Sequence, residues 1–193
     1  MEISKERLLN ELTIDIKKRD KQNWKLYIPF IIAFTWAMLL FIAPMLEPPG
    51  TVYLGNNGKV SVPDNTPYIN EHIKNPLAHA VYISGDYMCH QHSNRSFFIM
   101  GNQMPYCARC TGIFLGLGIG FLIAALFKVR VGFGLYFLTI IPLGLDGFIQ
   151  LITPYESTNF MRVLTGLFVG IYSAMLFIYV YEYDPHAHES APR

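Results

Sequence analysis

The sequence predicts an all-α membrane protein of four transmembrane helices carrying a large extracytoplasmic loop, and three observations predict it. Of 193 residues, 52% are hydrophobic and only 15% charged, against about 25% charged in an ordinary soluble domain, and the mean hydropathy is +0.28. Four apolar runs are long and charge-poor enough to cross a hydrocarbon layer about 30 Å thick. Lysine and arginine gather beside some span ends and not others, which orients the runs. The formal net charge of +1 gives no electrostatic footprint for nucleic acid, so the bilayer is the expected partner and nucleic acid is not.

Residues 1–25 place Ile3, Leu8, Leu9, Leu12 and Ile16 among charges of both signs, a spacing that predicts a cytoplasmic amphipathic surface helix. Residues 26–46 form the first span. A cleavable signal is the alternative for it, but the apolar run exceeds the usual 7 to 15 residues of such a signal and no small-residue cleavage site follows. Residues 47–110 form the loop, 111–127 the second span, 131–153 the third and 163–181 the fourth. Lys5, Arg7, Lys17, Lys18, Arg19, Lys21 and Lys25 precede the first span, and Lys128 and Arg130 fill the connection between the second and third. Both facts put the N-terminus in the cytoplasm, the 47–110 loop outside, and the 182–193 tail back in the cytoplasm. His186 and His188 in that tail read as solvated residues rather than ligands.

Small residues recur every fourth position in the second span, at Gly112, Gly116, Gly120 and Ala124, and in the fourth, at Gly166, Gly170 and Ala174. Such stripes let helix backbones approach closely, and they are candidate contacts for a homo-oligomer. Thr111-Gly-Ile-Phe-Leu-Gly116 resembles Thr165-Gly-Leu-Phe-Val-Gly170, and Ile42-Ala-Pro44 resembles Ile152-Thr-Pro154. Two repeated helical hairpins running in the same direction would explain both, with chance matching of apolar helices as the rival.

In the loop, Val52-Tyr-Leu54 and Val60-Ser-Val62 around Asn56-Asn-Gly58 predict a small β-hairpin. Asn75-Pro76 predicts a capped helix start, with His79, Asp86 and His90 sharing a face as far as about His90. Cys107-Ala-Arg-Cys110 then leads directly into the second span. Cys-x-x-Cys on a tight turn lets two thiolates reach one tetrahedral ion. Cys89 is the candidate third ligand and His90 the fourth, with His92 and His79 as competitors, giving a Cys3His site for zinc, with iron as the other metal. A disulfide or simply buried thiols would use the same cysteines without a metal. Asn94-Arg95-Ser96 also fits a glycosylation sequon, a triplet that arises often by chance. Few long apolar runs occur in the loop, so its stability is expected to depend on the metal.

Asp146 is the ionisable residue inside the third span, and such a residue is a functional candidate by default. Gln150 lies one turn above it, and Glu156, Ser157, Thr158, Asn159 and Arg162 open the fourth span at the same depth as the cysteines. One reading pairs Asp146 with Arg162 to neutralise two charges. The sharper one makes Asp146 or Glu156 a catalytic base and lets Arg162 hold an anionic group such as a lipid phosphate, with Gln150, Asn159, Arg95 and Gln103 as binding groups.

Cys89-His-Gln91, Arg95-Ser-Phe97, Gly101, Gln103 with Pro105, Cys107-Ala-Arg-Cys-Thr-Gly112, Asp146-Gly147 with Gln150, and Glu156-Ser-Thr-Asn159 with Arg162 together resemble a family of bacterial and archaeal predicted membrane proteins known as a domain of unknown function. The resemblance covers roughly residues 80 to 175. It implies a polytopic membrane protein and favours His90 over His92 as ligand, and it brings no activity with it. Three functions follow from the residues themselves: an enzyme at the outer leaflet acting on a lipid-linked or anionic substrate, a thiol-disulfide oxidoreductase using Cys107 and Cys110, and an ion or metal transporter. A second dithiol, usual in relay to a soluble partner, is missing for the oxidoreductase.

Overall fold

The computed structural model describes residues 12–19, 21 and 23–182. Its elements in order are strand β1 (Ile14–Lys18), helix α1 (Tyr27–Ile42), α2 (Thr66–His72), α3 (Pro76–Met88), strands β2 (Phe98–Ile99) and β3 (Asn102–Gln103), helix α4 (Ala108–Leu126), strand β4 (Phe127–Val131), and helices α5 (Phe133–Ile152) and α6 (Asn159–Tyr181). Four helical segments are long and apolar enough to cross a membrane: Trp24–Leu46, Ala108–Leu126, Phe133–Gln150 and Asn159–Tyr181. They form because long, charge-poor apolar runs satisfy every backbone group internally only as helices.

The bundle is organised around α4. Helix α1 packs on one side of it, α6 on the other, and α5 packs on the outer side of α6. α4 and α6 run parallel with their glycine stripes face to face. A Cβ at Gly112 would meet the backbone of Val163, one at Gly116 that of Leu167, and one at Gly120 that of Ile171. In return, Gly166 abuts the carbonyl of Arg109 and Gly170 that of Ile113. The offset carrying Thr111 to Thr165 also carries Arg109 to Val163 and Ile113 to Leu167, so the contacts of Gly112 and Gly116 each have a mate. The stripes expected to mediate oligomerisation are therefore covered within one chain.

At the end of the bundle away from the cysteines, β1 pairs antiparallel with β4, Ile16 opposite Val129 and Lys17 opposite Lys128. The predicted amphipathic helix is thus a strand in its described part. Alternation explains it: Val129 and Val131 point into a small core with Leu26, Ala124, Ala125, Met175 and Ile178, while Lys128 and Arg130 face out. Arg19 clasps this end, donating to both carboxylate oxygens of Glu182 (2.7 and 2.9 Å) and to the Ala124 carbonyl (2.7 Å). Ile3, Leu8, Leu9, His186 and His188 lie outside the described residues.

The segment between α1 and α4 folds over the other end. It has its own apolar core, in which Val52, Leu54, Ile69, Ile73, Val81, Tyr82, Met104 and Tyr106 pack with Leu40 and Ala43 from the end of α1. That core is larger than the sequence led one to expect. The predicted hairpin around Asn56–Gly58 does not form, and only a Lys59–Val62 bridge is present there. The reason is that side chains take the place of a partner strand. Asn102 Oδ1 accepts from the backbone N–H of Thr51 (2.8 Å) and Val52 (3.0 Å), and Gln103 Oε1 accepts from that of Leu54 (2.8 Å). The hairpin that does form joins β2 to β3, turning through Met100 and Gly101 at φ 53° and 78°, the left-handed pair a two-residue turn requires.

Candidate metal centre

Three pieces of chain converge on the cysteines. Asn75 caps α3 by accepting from the N–H of Leu77 and Ala78 (3.0 and 3.2 Å), and the helix ends at Met88, leaving Cys89 extended. Gly85 lets this last turn touch the Pro105 backbone, since a Cβ there would collide with the Pro105 carbonyl. Gln91, held at φ 47° and fully buried, donates to the carbonyls of Tyr82 and Pro105, both at 2.9 Å, and accepts from Asn65 Nδ2 at 3.0 Å. Gln103 Nε2 donates to the Gln91 carbonyl at 2.6 Å. Gln103, a candidate binding group in the sequence, is thus a fully buried brace under the loop.

These contacts fix Cys89 beside Cys107, whose backbone N–H donates to Cys89 Sγ at 3.3 Å. Cys107 is the residue before α4, and Cys110 Sγ in the first turn lies 3.6 Å from Cys107 Sγ. All three cysteines are free thiols. Potential ligand atoms of Cys89, His90 and Cys107 lie within 4.8 Å of one another, a grouping that could hold a metal ion, and Cys110, 3.6 Å from Cys107, lies beside it. Of the competing histidines, His92 Nε2 sits 2.8 Å from the Gly58 carbonyl and His79 Nε2 sits 2.8 Å from Asn70 Oδ1. The thiols share charge unevenly. Cys107 accepts from Cys110 and Cys89, which holds it well below the ordinary thiol range. Cys89 is pushed up to about 12, first by its hydrogen bond to Cys107, with burial adding to it. Burial lowers His90, with Cys107 opposing and His92, Arg95 and Arg109 adding to the shift, which favours the neutral form that a ligand needs.

Beside the thiols lies a polar network at the ends of α4, α5 and α6. Asp146 does not pair with Arg162. Its partner is Arg109, the residue inside Cys107-Ala-Arg-Cys110, through Arg109 Nη2 and Asp146 Oδ2. Ser157 Oγ donates to the same Asp146 oxygen at 3.2 Å, and Gln150 Nε2 to the Asp146 carbonyl at 2.8 Å. Arg162, only 3% exposed, donates instead to two neutral amides, Gln150 Oε1 (2.9 Å) and Asn159 Oδ1 (3.0 Å). Asn159 Nδ2 continues to the Ser96 carbonyl at 3.2 Å, and Glu156 accepts from Arg95 and Asn94, both at 2.9 Å. Arg95 holds the Glu156 carboxyl below its usual range. The Nε atoms of Arg95 and Arg109 are buried without a hydrogen-bond partner. Sequence reading missed Arg109, although an arginine in the first turn of a membrane helix needs a partner wherever it stands.

A model for a family described as "Predicted membrane protein (DUF2085)" matches residues 89–176. An uncharacterised protein of Methanothermobacter thermautotrophicus is 43% identical over 93 residues, which cover 47% of this chain and 84% of that relative. The chain belongs to the DUF2085 family. The matched stretch opens at Cys89 and so contains the four metal-ligand candidates together with Arg109, Asp146 and Arg162, whereas α1 lies before it. A second relative, an uncharacterised protein of Methanocaldococcus jannaschii, is 40% identical over 88 residues, or 43% of this chain, and the match spans 56% of that relative's length. No solved structure matches.

Proposed function

We propose that this DUF2085 protein is an integral membrane protein in which a Cys3His metal site, formed by Cys89, His90, Cys107 and Cys110, clamps an extracytoplasmic loop onto the helix ends. Zinc is the first candidate metal and iron the second. The observation that carries the reading is the meeting of three ligand candidates within 4.8 Å from separate stretches of chain, with the fourth 3.6 Å from Cys107. A closed four-ligand site leaves no position for a reacting water, so the metal's role is structural. The orientation, with both termini cytoplasmic, is supported by the pairing of Lys17 and Lys128 strands at the end opposite the cysteines. The reciprocal glycine contacts of α4 and α6 support a duplicated hairpin.

On this reading any chemistry falls to the polar network. A lipid-linked or anionic substrate would meet Arg162, with Asp146 or Glu156 as base and Gln150, Asn159 and Arg95 around it. Support comes from the hydrogen bonds of Arg162 going, among the described residues, to uncharged groups, since a buried cation without an anion is costly. Asp146 is engaged by Arg109 and Ser157 and Glu156 by Arg95 and Asn94, so either carboxylate must leave its partners to act as base, and the engagement of Asp146 argues against a transport path through it.

One observation favours a second reading, thiol-disulfide exchange: Cys107 and Cys110 are neighbours, and Cys107 is held below the ordinary thiol range, as suits an attacking thiolate. Elemental analysis of detergent-purified protein with a free-thiol count separates the two. About one zinc or iron per chain, lost in Cys89→Ser, supports the metal site. Metal-free protein with two oxidised thiols overturns it in favour of exchange.

A further inference from the structure

We propose that the groove between α1 and α6 is a binding site for one acyl tail of an anionic phospholipid, its phosphate held at Lys25. α4 provides the floor, where Phe114, Leu117 and Phe121 fall on one helical face. α1 provides one wall through Ile32 and Trp36, and Phe177 of α6 the other. The cavity measures about 520 Å³. It is continuous with a second of about 360 Å³, because Ile28, Pro29 and Phe177 line both.

Length and chemistry identify the occupant. The groove runs from Trp24 to Trp36, about 18 Å at the helical rise, close to one leaflet's share of a hydrocarbon core about 30 Å thick. Its walls are apolar throughout, so water would find no partners there. Its mouth is different. Trp24, Lys25 and Tyr181 meet there, the residue types that sit at headgroup level, and the lysine ammonium complements a phosphate. A second copy's apolar helix would carry no phosphate to match the Lys25 ammonium at the mouth. Lipid filling this cleft would join α1 to α6, two helices that otherwise meet mainly through α4. The inference is independent of the metal site.

Native mass spectrometry of the full chain, released from nanodiscs of mixed phosphatidylglycerol and phosphatidylethanolamine, tests it. Expected is one phosphatidylglycerol retained per monomer. Ala33→Trp, which fills the groove from α1, should abolish retention, and Lys25→Glu should lower the preference for phosphatidylglycerol about fivefold. The only tryptophans are Trp24 and Trp36, so the tryptophan emission of the native chain reports from the two ends of the groove. Its quenching by brominated phosphatidylglycerol should persist on dilution into unlabelled lipid. Lipid-free monomers, unchanged retention in Ala33→Trp, equal retention of both headgroups, dimers in place of lipid, or quenching lost on dilution would each overturn the proposal.

Discussion

Arg109 donates to Asp146, tying the residue between two cysteines of α4 to the interior of α5. This contact matters because α5 has little else to hold it. No residue of its Phe133–Gln150 stretch is buried, and its helix contacts are chiefly with α6. Asp146→Asn should therefore destabilise the bundle by about 1–3 kcal/mol, less than breaking a fully buried pair costs, because the Arg109 and Asp146 side chains are 24% and 14% exposed. Replacing both partners by leucine should cost less than either single change. Unfolding titrations in mixed detergent, run as a double-mutant cycle, measure the coupling.

The glycine faces of α4 and α6 predict a sharp positional effect. At Gly116 a Cβ would lie 2.9 Å from the Ile171 nitrogen and 3.0 Å from Gly170 Cα, and backbone cannot give way as a side chain does. Gly116→Ala should cost about 1–3 kcal/mol through overpacking. At Gly144 on α5 nothing lies within 4 Å of the same atom, so Gly144→Ala should cost nothing and gain helix propensity. The same detergent titration compares the two.

The four spans and the cysteine cluster were legible because each rests on local sequence: a run without charge, and a spacing that a tight turn converts into proximity. What was not legible depended on rotation about helix axes and on side chains standing in for backbone. Arg95, Arg109 and Arg162 share one depth, and only the facing of α4 toward α5 gives Asp146 to Arg109 rather than Arg162. Ile14 and Ile16 fit a strand's alternation as well as a helix's spacing, and the pairing with β4 decides. Val52 and Leu54 are inward-facing strand-like residues whose partners are the Asn102 and Gln103 amides, which no hairpin rule anticipates.

Asn102 is fully buried and serves both ends of the loop. Its oxygen accepts from Thr51 and Val52, and its nitrogen donates to the carbonyls of Pro44 (2.8 Å) and Pro48 (3.0 Å). Asn102→Ala leaves several buried backbone groups without partners and should cost about 3 kcal/mol or more. Asn102→Asp keeps the acceptor but faces carbonyls with a carboxylate, and should be no better. Hydrogen exchange at Thr51 and Val52 should accelerate in both variants, while exchange within β1 and β4 stays unchanged.

The loop also docks through Glu156, and that contact should titrate. The Arg95 hydrogen bond lowers the Glu156 carboxyl in the folded protein, so folding favours its charged form. Its contribution is fully present above the unfolded-state value near 4.3 and is lost as pH falls through the lower folded value. The pair is half exposed, with Glu156 at 47%, so screening limits its worth to under about 1 kcal/mol. Glu156→Gln cannot titrate. The stability difference between the native protein and this variant should therefore be largest at neutral pH, shrink with added salt, and vanish on acidification below the folded carboxyl value. A difference that stays constant across that range would mean the hydrogen bonds from Asn94 and Arg95, and not the charge, hold the loop to the start of α6.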